Sequence, residues 1–139
     1  MKTTDELKKI LASKRDINRY ISQNKDELTI ASFTQQLKSH MQIRNLKRSE
    51  VLSQTLIYSR YGYEIFEGKK KPTRDKVLQL CLALNLSLND SQHLLNAAGV
   101  SELYPRSIRD SIIIHCIQHH KSVIECNEIL YSHQELSIE

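Results

Sequence analysis

The stretch Ser59-Arg60-Tyr61-Gly62-Tyr63-Glu64-Ile65-Phe66-Glu67-Gly68-Lys69-Lys70-Lys71-Pro72-Thr73-Arg74-Asp75-Lys76-Val77-Leu78-Gln79-Leu80 decides how the chain reads. It begins with a short helix that Ser59 can cap and that reaches Phe66 or Glu67. Gly68 is a natural residue just past the helix end, because it takes the left-handed conformation without steric cost. Three lysines follow, Pro72 stops any continuation, and Thr73 can cap a second helix. That helix runs from Arg74 to Leu84, with Val77, Leu80, Cys81 and Leu84 on one face.

The same spacings extend in both directions. Lys47 to Thr55 predicts a short helix with Val51 and Leu52 inward, separated from Ser59 by a break at Leu56 to Tyr58. A longer helix over Ser32 to Arg44 precedes it, with Phe33, Leu37 and Met41 at successive i+4 steps. Residues 3 to 24 predict one or two amphipathic helices carrying Leu7, Ile10 and Leu11, then Ile17, Tyr20 and Ile21. Beyond Leu84, Ser87 or Asn89 starts a helix ending at Gly99, and Tyr104-Pro105 is a joint. A helix then runs from Arg106 to His119 or His120, and Ser122 caps a last one through Tyr131. No internal repeat and no low-complexity linker is visible in the letters.

Composition agrees with helices. Three glycines and two prolines in 139 residues are too few for folds of many short strands or for glycine-rich phosphate loops. The expected fold class is all-α, with room for one compact domain, or for one domain with a small helical appendage. No apolar run reaches about 18 residues, and Met1 to Leu11 is charged, so a cytoplasmic protein with no membrane partner is expected. Cys81, Cys116 and Cys126 are odd in number and widely spaced, which reads as reduced thiols rather than a disulfide framework. The net charge is +4, but it is unevenly spread. Between Lys38 and Lys76 stand ten basic and four acidic residues, a net of +6, which points to a polyanionic partner.

The order of short helix, tight break, second short helix, glycine, basic run, proline and capped helix, followed by Leu84-Asn85-Leu86-Ser87, resembles the Cro/C1-type helix-turn-helix (XRE) family of bacterial and phage regulators. The remainder is similar to a little-characterised Gram-positive bacterial branch of that family. That branch has extra N- and C-terminal helices and blocks like Leu103-Tyr104-Pro105-Arg106, Arg109-Asp110 and Asn127-Glu128-Ile129-Leu130-Tyr131. The resemblance implies a lambda-repressor-like five-helix helix-turn-helix domain over residues 32–100, an N-terminal helical segment over 1–31 and a C-terminal helical pair over 101–139. It also implies sequence-specific binding of double-stranded DNA and transcriptional regulation, with a recognition helix at about 59–67 in the major groove. Ser59, Arg60, Tyr61, Tyr63 and Glu64 would then face base edges, and Arg60 could pair bidentately with guanine. Lys47, Arg48, Ser49, Lys69, Lys70 and Lys71 would contact phosphate. The chain departs from the family at Leu56, where glycine is usual, at Arg48-Ser49, where Ser-Gln is common, at Gly62, where a buried aliphatic is usual, and at Phe66, commonly polar.

Four of the eight aromatics, Tyr58, Tyr61, Tyr63 and Phe66, crowd this helix. They could read DNA, pack the core, or bind a regulatory protein partner, so a helix-turn-helix-like interaction module is the alternative function. Enzyme motifs are missing. Gly62 and Gly68 are spaced wrongly for a P-loop and lie between helices. His115 and His119 share a helix face beside Cys116 and His120, but four zinc ligands are not assembled, so no metal and no cofactor is expected. Asp75, Asp90 and Asp110 read as cap or surface residues, and the protein as a non-enzyme. The dense apolar sets Ile112 to Ile117 and Val123 to Leu130 predict a homodimer or, alternatively, closure of one extended monomer core.

Overall fold

The computed structural model describes residues 32–139, so the expected N-terminal helices over 3–24 lie outside the described residues. Within that range the chain is all-α, with no strand. Its helices are α1 (32–43), α2 (Arg48–Ser53), α3 (Ser59–Phe66), α4 (Arg74–Ala83), α5 (Leu88–Ala97), α6 (Ile108–Gln118) and α7 (Val123–Ser132). Local chemistry sets most of the ends. The hydroxyls of Thr73, Ser87 and Ser122 accept the backbone N–H groups of Lys76, Asp90 and Glu125 at 3.4, 3.1 and 3.1 Å. Helix α6 starts two residues later than expected, because Ser107 accepts the Asp110 N–H at 3.2 Å and becomes its cap.

The joints α1–α2, α4–α5 and α6–α7 are built alike. Asn45, Asn85 and His120 each take positive φ, near 52° or 53°. The following residue, Leu46, Leu86 or Lys121, then donates back to the carbonyl of Met41, Cys81 or Cys116, and the residue after it caps the next helix. Leu84-Asn85-Leu86-Ser87 is therefore a joint of minimal length, with Leu86 anchored in the core.

All seven helices feed one apolar core. It contains Phe33 and Leu37 of α1, Leu52 of α2, Ile65 of α3, Leu78 of α4 and Leu95 of α5, and it continues through Ile113, Cys116 and Ile117 of α6 and Val123, Cys126 and Leu130 of α7. The dense apolar sets of the last two helices thus close this chain's own core, so their density no longer argues for a dimer. Cys81, Cys116 and Cys126 are buried free thiols, and burial pushes the Cys81 thiol up to about 12.

The structure contains a repeat that the letters conceal. The hairpin α6–α7 restates the hairpin α4–α5 with every counterpart 35 positions on, although few residues are identical. In the first, the Gln92 amide bonds the N–H and C=O of Leu103 at 2.8 and 2.9 Å. In the second, Asn127 bonds the N–H and C=O of Ile138 at 2.7 and 3.2 Å. Arg74 donates to the carbonyls of Ser101 and Glu102, and Arg109 to those of Leu136 and Ser137.

The two hairpins then grip each other reciprocally. Arg74 pairs with Asp110, and Arg109 with Asp75. Asp110 also accepts the Tyr104 N–H, and Asp75 the N–H of its counterpart Glu139. Such exchange is the signature of an approximate two-fold relation. Asp75 and Asp110, read as cap or surface residues, instead clamp the hairpins together.

Candidate nucleic-acid interface

Helix α3 packs against α2, and the break before it is tied to α4. Gly62 is buried on its inner side, where an added Cβ would overlap both Leu52 methyls and lie 3.1 Å from Leu52 Cγ. The small residue lets α2 and α3 approach closely, and Leu52 fills the volume an aliphatic side chain would take. Behind the break, the Gln79 Oε1 accepts the Leu56 N–H at 2.7 Å and so fixes the path into α3. Gln79 is fully buried, and its Nε2 has no partner among the described residues, an unpaired donor that costs stability. Sequence reading missed this residue. Its one signal was a lone amide inside the run Val77-Leu78-Gln79-Leu80-Cys81-Leu82.

Ser59 does not cap α3. The Gly62 N–H donates to the Tyr58 carbonyl at 2.8 Å, so Tyr58 is the cap position and Ser59 the first helical residue. Ser59 is exposed at the start of the helix. Arg60 is 95% exposed along its side chain and reaches Glu64 at only 3.7 Å, a weak i,i+4 pair. Tyr63 lies on the same side, one turn on. Tyr61 points the other way and packs against the core, and Glu64 is half-buried beneath Arg60. Of the five side chains expected at base edges, Arg60 and Tyr63 therefore share the open face with the paired Glu64, Ser59 is exposed at the helix start, and Tyr61 packs inward.

The expected phosphate contacts divide likewise. Lys47 caps α2, and Glu50 folds back to accept its N–H at 3.0 Å, so the Lys47 amide already has a partner. The Lys47 and Ser49 side chains are exposed. Arg48 lies over the Phe66 ring, 5.7 Å from its centroid, and 3.9 Å from Glu67. Lys69 bonds Glu67 at 2.9 Å, and that bond holds the Glu67 carboxyl below its usual range and raises the Lys69 ammonium. Lys70 and Lys71 are exposed and pair with no carboxylate among the described residues. Arg74, counted in the basic segment, is spent on Asp110. The unspent cations beside α3 are thus Lys47, Lys70 and Lys71, with Arg60 lightly held.

Compared with protein-family models, with curated proteins and with solved structures, the chain matches none. The site therefore stands on its own geometry. His115 and His119 rings lie 4.2 Å apart and tilted, and among the described residues no group of three His, Cys, Asp or Glu side chains could hold a metal ion. No described helix is long and apolar enough to cross a membrane.

Proposed function

We propose that the protein is a sequence-specific duplex-DNA-binding regulator and not an enzyme, in which α1 to α5 act as a lambda-repressor-like helix-turn-helix unit of the XRE kind and α3 enters the major groove. The observation that carries this reading is the outer face of α3. Arg60 and Tyr63 are exposed there, away from the buried Gly62 and Ile65, and Ser59 is exposed at the helix start. The uncommitted Lys70 and Lys71 follow its C-terminal end, and Lys47 lies at the start of the adjoining helix. Polar side chains on an exposed helix flanked by free cations suit base reading and backbone contact respectively. A second reading, a protein-contact module, is favoured by the exposed apolar pair Leu56 and Tyr58 at the mouth of the same helix.

Selection of bound sequences from random duplex DNA, followed by salt titration, tests the proposal. Arg60→Ala should cost about 1–3 kcal/mol on the selected site and little on random DNA. Lys70→Ala should weaken both alike and lower the salt slope by about one. Failure to enrich any sequence, with weak and uniform binding, would leave the protein-contact reading in its place.

A further inference from the structure

The internal repeat supplies a comparison within one molecule. Counterpart positions on the two hairpins occupy the same place in the fold, so a difference in their chemistry reports a difference in their surroundings. On the first hairpin, Val77 and Leu80 of α4, Leu94 of α5 and Ala98 just beyond it are buried. A crevice at Lys71 and Ala98 holds only about 10 Å³, because Phe33 and Thr34 of α1 and Ile65 of α3 close it. On the second hairpin the same positions stand open. Ile112, His115, Ile129 and His133 line a groove of about 530 Å³ between α6 and α7, together with Arg106 and Ile108. None of these six side chains belongs to a buried residue. The volume lies within the range of about 300–1,000 Å³ typical of small-molecule clefts.

Two kinds of residue occupy the opened positions. Val77 and Leu94 have the aliphatic counterparts Ile112 and Ile129, and Thr73 has the apolar Ile108, which is 66% exposed. Leu80, Ala98 and Lys71 have the nitrogen-bearing counterparts His115, His133 and Arg106. The half-buried floor is therefore aliphatic, and exposed hydrogen-bond donors border it. No acidic side chain lines the groove, although residues 101–139 hold six of them against three of lysine and arginine. Arg109, the other arginine of that segment, is committed to Asp75. Arg106 makes no ion pair among the described residues. A cleft kept free of acid within an acidic segment, with an unpaired guanidinium at its edge, favours an anion.

We infer that this groove binds a small amphipathic anion, an aliphatic carboxylate whose tail lies on Ile108, Ile112 and Ile129 and whose head is held by Arg106. The guanidinium fork matches a carboxylate through two parallel hydrogen bonds. His115 and His133 each offer a ring N–H in either protonation state. The apolar lining is aliphatic, so an alkyl tail leaves water for a like surface. The site includes no residue of α3 and takes its ligand without DNA.

The test titrates octanoate into the full chain, free of DNA, and follows binding by calorimetry and by the isoleucine methyl resonances. Octanoate should bind at a single site and shift the methyls of Ile112 and Ile129. Octanol, with the tail alone, and acetate, with the charge alone, should each bind at least about tenfold more weakly. Arg106→Gln changes an exposed side chain, and circular dichroism verifies that its helices are intact. It should lose about tenfold in octanoate affinity and bind octanol as the wild type does. Unmoved methyls at millimolar octanoate would overturn the proposal. Equal binding of octanol or of acetate would do the same, as would an Arg106→Gln variant that holds octanoate unchanged. Binding to phosphatidylglycerol vesicles without binding of dissolved octanoate would assign the face to a membrane surface instead. DNA affinity measured on the same variant keeps this outcome separate from that of the DNA-binding reading.

Discussion

Asp110→Ala tests the clamp between the hairpins, and Asp75→Ala is its built-in control. Asp110 receives Arg74 Nη1 and Nη2 at 3.1 and 2.8 Å and the Tyr104 N–H at 2.9 Å, with only 9% of its side chain exposed. Removing it leaves a largely buried guanidinium without its counter-charge and an amide without an acceptor. Breaking a fully buried pair costs about 3–5 kcal/mol. Arg74 keeps its bonds to the Ser101 and Glu102 carbonyls and some contact with water, so about 2–4 kcal/mol is expected here. Asp75 occupies the equivalent position with longer bonds, 3.2 and 3.3 Å from Arg109, and 30% exposure. Its loss also strips Arg109 of its counter-charge, but with longer bonds and a more exposed carboxylate it should cost less, about 1–2 kcal/mol. Urea unfolding followed by far-ultraviolet circular dichroism measures both. Equal losses for the two variants, or less than about 1 kcal/mol for Asp110→Ala, would refute the clamp as the tie between the hairpins.

The same carboxylate makes stability depend on acid. Burial alone would raise the Asp110 carboxyl, but the Arg74 and Tyr104 hydrogen bonds and the charges of Arg74 and Arg109 hold it below its usual value. Its contribution is therefore present above about pH 4, the unfolded value, and is lost as pH falls through the lower folded one. The stability gap between wild type and Asp110→Asn should shrink steadily in that window, and a gap unchanged at pH 2 would contradict the linkage. Gly62→Ala gains about 1 kcal/mol of helix propensity but overpacks Leu52, which is buried and has little room to move, at a cost of about 1–3 kcal/mol. A net loss near 1 kcal/mol is expected by urea unfolding, and a gain would mean that Leu52 swings aside freely. Asn127→Ala should release the C-terminal tail, so that the Ile138 amide exchanges its hydrogen rapidly while Leu103, held by Gln92, stays protected. Unchanged protection at Ile138 would show that burial and the Arg109 and Asp75 hydrogen bonds hold the tail without Asn127.

The sequence by itself determined the features whose causes are local. Thr73, Ser87 and Ser122 cap helices because a short oxygen-bearing side chain reaches an amide two or three residues on. Gly68 ends α3 at φ 77° because only its lack of a Cβ makes that conformation cheap. The apolar stripe Phe33, Leu37 and Met41 turns inward because it repeats with the helix. Tertiary structure alone decided the rest. Whether Tyr61 or Tyr63 faces outward depends on where α2 and α4 stand, which no spacing within α3 specifies. Tyr58 and not Ser59 holds the cap position because the fold sets the path of the break, where the Leu56 N–H bonds Gln79, more than twenty residues on. The repeat escaped reading because its hallmark is the partners side chains find, Gln92 with Leu103 and Asn127 with Ile138, and different letters make the same bonds. Arg74 looked like a cation for phosphate until the fold brought Asp110 to it. Charge and periodicity are properties of a segment, whereas pairing belongs to residues that only the folded chain brings within 3 Å of each other.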